Sequence, residues 1–194
     1  MYSEADLMTE VRSVLVWVTE GTWRASVDAA LRFAPAGASI TLLHVSPADL
    51  AEAAHGSYLG LFGRGQPGRD PGPRVAELAA AAAAGLLDAA ARRLGRPCQQ
   101  LNRGGQPERE VVTAASGADL LILARDGDRS RLGPKSLGKA TRFVVDHAPC
   151  PVLMVWPEAA PGIATIPPPP DKPPHHKPPH GKPPHDKPRT RRDR

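Results

Sequence analysis

Cysteine is scarce: the 194 residues hold only Cys98 and Cys150. Neither sits in a Cys-x-x-Cys pair, which argues against a secreted disulfide framework and against a cysteine-based metal site. Long apolar runs are missing too. No stretch approaches the ~20 residues that span a bilayer. Residues 1–9 lack the basic and apolar segments of a signal peptide. A reducing cytoplasm is the expected setting. Internal repeats of solenoid length are also absent. Large apolar residues almost disappear from residue 157 onward, where Ile163 and Ile166 are the last aliphatics of any size.

What replaces them is proline, histidine, lysine and arginine. This stretch carries eight Lys/Arg against four acids, about +4 of the chain's formal net charge of +5. The high pI of 9.6 therefore describes the tail, and the rest of the chain is close to neutral. Proline at this density favours extended polyproline II and opposes a packed core. Residues 158–194 are expected to form a disordered tail. A Lys-Pro-Pro-His theme recurs three times, beginning at Lys172, Lys177 and Lys182. His175, His176, His180 and His185 are a weak metal-ligand set on such a segment. The closing run from Arg189 to Arg194 suits nucleic acid or another polyanion, or a membrane surface. A purely solubilising tail is the alternative.

Residues 1–11 read as an extension and 12–157 as one domain. Residues 13–18 (SVLVWV) and 39–45 (SITLLHV) are continuous apolar runs rich in β-branched side chains, as strands buried on both faces require. Helical spacing marks 23–34, and 74–94 is alanine-rich with Gly95 as its stop. Residues 47–73 are glycine-rich and aperiodic, and read as an insertion with one short helix at 47–54. A weaker strand follows at 98–102. Pro107 opens a helix over 107–116, with acids in its first turn. Strands are expected at 119–124 (DLLILA) and 151–156 (PVLMVW), around a helix at 138–147. The alternation predicts right-handed crossovers and a Rossmann-like, doubly wound, parallel five-stranded sheet.

In such sheets ligands sit beyond the carboxyl ends of the strands, where glycine loops bring backbone amides to phosphates at a helix N-terminus. The segment 125–141 has that character: five Arg/Lys against two Asp in seventeen positions. Gly133-x-x-x-x-Gly138-Lys139 nearly spells a P-loop. Ala140 follows, however, where a Mg²⁺-binding Ser/Thr would be needed, and the loop follows the fourth strand, not the first. A plain glycine turn with a solvated basic surface is the competing reading. His44 reads as a core histidine and His147 as a cation at a helix C-terminus. Both cysteines read as small apolar residues. No nucleophile–base–acid set is visible. Ser130 and Ser136 are weak candidates for phosphorylation.

Three stretches resemble the universal stress protein (UspA-domain) family. Leu42-Leu43-His44-Val45 is similar to its second-strand ending, and Gly105-Gln106-Pro107 to the turn that opens its third helix. The run from His147 to Val155 (HAPCPVLMV) is the most specific of the three. The resemblance covers about 12–156 and is weak over 47–73. It implies an adenine nucleotide alpha hydrolase-like fold, a stress-response regulatory role, and ATP or AMP as ligand. Family members bind nucleotide through Gly-x-x-Gly, nine residues, then Gly-Ser/Thr. The matching positions here are Ala124, Gly127, Gly138 and Lys139, so the first glycine and the Ser/Thr are replaced and the spacer is one residue longer. Arg125 and Ala140 flank these positions. The resemblance places Thr19 or Glu20 where an acidic residue meets the nucleotide, and Val45 at the adenine edge. It also implies a homodimer through the last strand, with Val152, Val155 and Trp156 at the contact. Three functions are carried forward: a nucleotide sensor signalling to a protein partner, a ligand-free dimeric interaction module, and slow ATP hydrolysis at most. Ordinary enzyme activity is not expected.

Overall fold

Five strands, four of them rich in aliphatic residues, pair into one sheet in the computed structural model, which describes residues 11–47, 71–166 and 168. They are β1 (Ser13–Trp17), β2 (Ser39–Pro47), β3 (Gln99–Gly105), β4 (Leu120–Ala124) and β5 (Val152–Val155). The helices are α1 (Trp23–Phe33), α2 (Gly72–Leu94), α3 (Pro107–Ala115) and α4 (Lys139–His147). The sheet order is β3-β2-β1-β4-β5 and every pairing is parallel.

Alternation along the strands divides the core in two. Val14, Val16, Ile40, Leu42 and Ile122 face α1 and α2, meeting Val27, Ala30, Leu87 and Leu94. Leu15, Trp17, Leu43, Leu121 and Leu123 face α3 and α4, meeting Val111, Ala115 and Val144. Both faces are thus covered, and this is why β1 and β4 read as unbroken apolar runs. The first two crossovers lie on one face and the last two on the other. The chain reverses its direction across the sheet between β1 and β4, which leaves a crevice at their carboxyl ends. A bidentate pair from Arg93 to Asp28, at 2.6 and 2.7 Å, ties α2 to α1.

Several element boundaries differ from the sequence reading, two of them with a clear physical cause. Helix α2 starts at Gly72 rather than residue 74, because Pro73 fits the first turn, where its missing N–H costs nothing. Strand β3 runs on to Gly105, its polar residues Asn102 and Arg103 laddered to His44 and Val45 on the long β2. Residues 1–10 and 48–70, which hold most of the expected extension and insertion with its short helix, lie outside the described residues. So do the tail histidines and the Arg189–Arg194 run. No helix among the described residues is long and apolar enough to cross a membrane.

Asp119 pins the start of β4 to the start of β1. Its carboxylate accepts from the Arg12 and Ser13 amides and the Ser13 hydroxyl, each at 2.9 Å. The Arg12 and Ser13 donors hold its pKa below the ordinary value of 3.8. The folded state therefore prefers the ionised form. This stabilisation is complete above about pH 4 and fades as the pH falls through the lowered value. Thermal unfolding of Asp119→Asn is expected to show a lower Tm than wild type at neutral pH, with the gap closing in acid. A gap of equal size at pH 7 and near pH 2.5 contradicts this.

Candidate functional site

The crevice at the switch point is framed by the turn after β1 and the loop after β4. In the first turn the Thr19 carbonyl accepts the amides of Thr22 and Trp23, at 3.2 and 3.0 Å, and so starts α1. The Thr19 hydroxyl lies 2.6 Å from that of Thr22. Glu20 is exposed on this rim. Val45 sits further out on the rim and is only 5% exposed, its side chain in the core beneath α3 and α4. Its backbone pairs with Arg103 of β3.

The second wall is closely knit. Ala124 is buried in the ladder opposite Val155. The Arg125 guanidinium lies 4.8 Å over the Trp156 ring and donates to the Ser136 hydroxyl. Ser136, itself 1% exposed, donates onward to the Gly133 carbonyl at 2.7 Å. Gly127 and Asp128 donate their amides to the carbonyls of Ser136 and Lys135, at 3.0 and 2.8 Å. The loop is thereby zipped against the 3-10 turn Pro134–Ser136. A side chain at Gly127 would come within 2.7 Å of the Ser136 carbonyl carbon, so glycine is required by close approach. Asp128 is held at about 2 by the Ser130 hydroxyl and amide and by Arg131.

Asp126 bends back to α4. Its Oδ1 accepts the Gly138 amide at 2.7 Å. A Cβ on Gly138 would stand only 2.6 Å from Oδ2, so the glycine leaves room for this carboxylate. The first intrahelical bond of α4 runs from the Arg142 amide to the Gly138 carbonyl. The amides of Lys139 and Ala140 precede it and have no carbonyl within the helix. Lys139 is exposed.

The amides of Gly127 and Gly138, expected to face a phosphate, are thus already engaged by the chain itself. The cause is local: the ten residues between them fold back as a turn rather than standing open. The chain beyond β5 reaches this loop as well. Arg129 pairs with Glu158 at 3.2 Å, and the Thr165 hydroxyl accepts the Leu132 amide at 3.1 Å. Arg129 also reaches the Gly21 carbonyl at 3.5 Å, across the mouth of the crevice. Thr19 and Glu20 follow β1, and Arg125, Gly127, Gly138, Lys139 and Ala140 follow β4, so they stand beyond the carboxyl ends of two paired strands, with Val45 near that end of β2. Sequence reasoning missed Asp126, Arg129 and Thr165, and named Ser136 only as a phosphorylation candidate. Asp126 stands beside Gly127, but its partner lies twelve residues away and no spacing rule announces it.

Other sequence candidates have structural roles. The His44 Nδ1–H donates to the Val18 carbonyl at 2.9 Å, joining β2 to β1. His147 is stacked on Phe143 with ring centroids 4.0 Å apart and bonds that residue's carbonyl. Cys98 and Cys150 are free thiols whose acidity is lowered by burial, so neither is an activated nucleophile. Among the described residues no cluster of three or more His, Cys, Asp or Glu could hold a metal ion.

The universal stress protein family model matches residues 11–155. The chain belongs to that family. Solved structures of the same fold include a universal stress protein in complex with cAMP, 18% identical, with a TM-score of 0.52 over 77% of this chain and 100% of that one. Another is the universal stress protein UspA from Lactobacillus plantarum, 24% identical, with a TM-score of 0.52 over 76% of this chain and 99% of that one. A third is the hypothetical protein MJ0577, 20% identical, with a TM-score of 0.54 over 77% and 99%. No curated protein matches the chain closely.

Gly127→Ala is expected to lower stability in urea unfolding by about 1–3 kcal/mol, the usual penalty for overpacking. Gly37→Ala, where an added Cβ meets nothing within 4 Å, is the control and should be near neutral. Equal stability of Gly127→Ala and wild type contradicts the zipped loop.

Proposed function

We propose that this universal stress protein is a stress-response regulator that binds an adenine nucleotide, ATP or AMP, at the rim between β1 and β4, as a sensor or switch. One observation carries the reading. Arg125, Lys135 and Lys139, none with a carboxylate partner among the described residues, lie on the segment that leads from β4 into α4 at the switch point of the sheet. Cationic side chains and helix-terminal amides together attract phosphate. Lys139 stands as a point charge where the family has a hydroxyl. Glu20 and Thr19 supply acceptors for ribose hydroxyls on the opposite wall. The family's cAMP-bound member supports an adenine ligand. The role is binding rather than turnover, with slow ATP hydrolysis as the upper limit.

Calorimetric titration of the full chain with ATP and with AMP is expected to show saturable binding. Lys139→Ala should weaken it about five- to tenfold, the loss of roughly one charge-assisted contact. No heat of binding at millimolar nucleotide contradicts the reading.

The second reading, a nucleotide-independent interaction module, is favoured by the Asp126 carboxylate already seated on the Gly138 amide. Its tail would contact a polyanion or a metal ion. A mass spectrum of small molecules released on denaturing the purified protein separates the two, since co-purified nucleotide opposes the module.

We also propose a homodimer through β5. That strand pairs only with β4 among the described residues, and Val152, Val155 and Trp156 are half-buried along it. An open edge of this kind calls for a cover. Light scattering should give twice the 20.6 kDa chain mass. The single-chain mass, with or without nucleotide, contradicts it.

A further inference from the structure

We infer that Asp126 selects the ligand of this loop: its carboxylate occupies the first amide of α4 and so disfavours a triphosphate relative to a monophosphate. The inference rests on the nucleotide reading above and specifies the ligand class of that site.

The Gly138 amide lies 2.7 Å from Asp126 Oδ1 and is the outermost donor of the α4 N-terminus. Both carboxylate oxygens would fall within 2.9 Å of a Cβ on Gly138, so the carboxyl group packs closely against that residue. Any phosphate drawn to this helix end meets a negative charge already in place. The side chain is exposed and makes no ion pair among the described residues that would neutralise it. Asp128, the other acid of the loop, is different. It is spoken for by Arg131 at 2.8 Å and by Ser130.

Two costs follow. A phosphate that takes the Gly138 amide must first displace the carboxylate, which lowers apparent affinity by the fraction of time the amide is free. A phosphate that binds beside the carboxylate is repelled by it, and a triphosphate carries roughly twice the charge of a monophosphate. Lys139 and Ala140 still offer first-turn amides, so a single phosphate finds donors without contesting Gly138.

The test is titration of the full-length protein with ATP and AMP for wild type, Asp126→Asn and Asp126→Ala, read as the ratio of ATP to AMP affinity. Asp126→Asn keeps an oxygen for the Gly138 amide and removes the charge. Asp126→Ala removes both, and the neutral variant stands in if it fails to fold. Losing a capping contact of ordinary strength corresponds to about five- to tenfold in a competing equilibrium. The ratio is expected to rise about tenfold in Asp126→Ala and by a smaller factor in Asp126→Asn. Asp146→Asn, an exposed acid at the far end of α4, is the control for bulk charge and should move the ratio less than about twofold. An unchanged ratio in both Asp126 variants, with AMP still bound, overturns the selecting role and leaves the nucleotide reading intact. An equal rise in Asp146→Asn also overturns it, because the effect is then net charge alone. Failure of every variant and of wild type to bind either nucleotide removes the nucleotide reading and this inference with it.

Discussion

The architecture depends on β1 being buried on both of its faces. Val14 and Val16 point one way and Leu15 and Trp17 the other, and none is more than 4% exposed. A strand with two apolar faces needs helices on both sides of the sheet. With α1 and α2 covering one face, α3 and α4 must cover the other. The chain therefore reverses its direction across the sheet at β1, and the crevice between the ends of β1 and β4 follows from that reversal. The site is a consequence of how the core is covered.

At that crevice the protein spends its polar groups on itself. Arg125 stacks on Trp156 and bonds Ser136, Asp128 holds Arg131, and Arg129 ties the loop to Glu158 beyond the last strand. Asp126 plays the part of an anion at the start of α4. The loop is thus stabilised from within. Lys139 remains exposed at the start of α4, so a cation stands there while the Gly138 amide is taken.

Most of the fold was legible because its signals are local. Runs such as 119–124 and the alanine-rich 74–94 carry their own periodicity, and each forms the element expected of it. Strand β3 was only half visible, since Asn102, Arg103 and Gly104 are held by the ladder to β2 rather than by their own propensity. The site was legible as a neighbourhood and not as a mechanism. Composition revealed the basic, glycine-containing loop. Its internal pairings join residues 126 to 138, 125 to 136 and 132 to 165, and such contacts depend on how the turn closes. Charge counting also treated the loop's acids as equivalent, whereas Asp126 faces the helix and Asp128 faces Arg131.

The central claim is that nucleotide meets the protein at the start of α4. Backbone amide NMR of the labelled full-length chain, titrated with AMP, tests it most directly. The account predicts saturable shifts at Lys139, Ala140 and Arg125, with smaller ones at Thr19 and Glu20. Absence of shifts at millimolar AMP, or shifts confined to a surface away from the β1–β4 crevice, would contradict it.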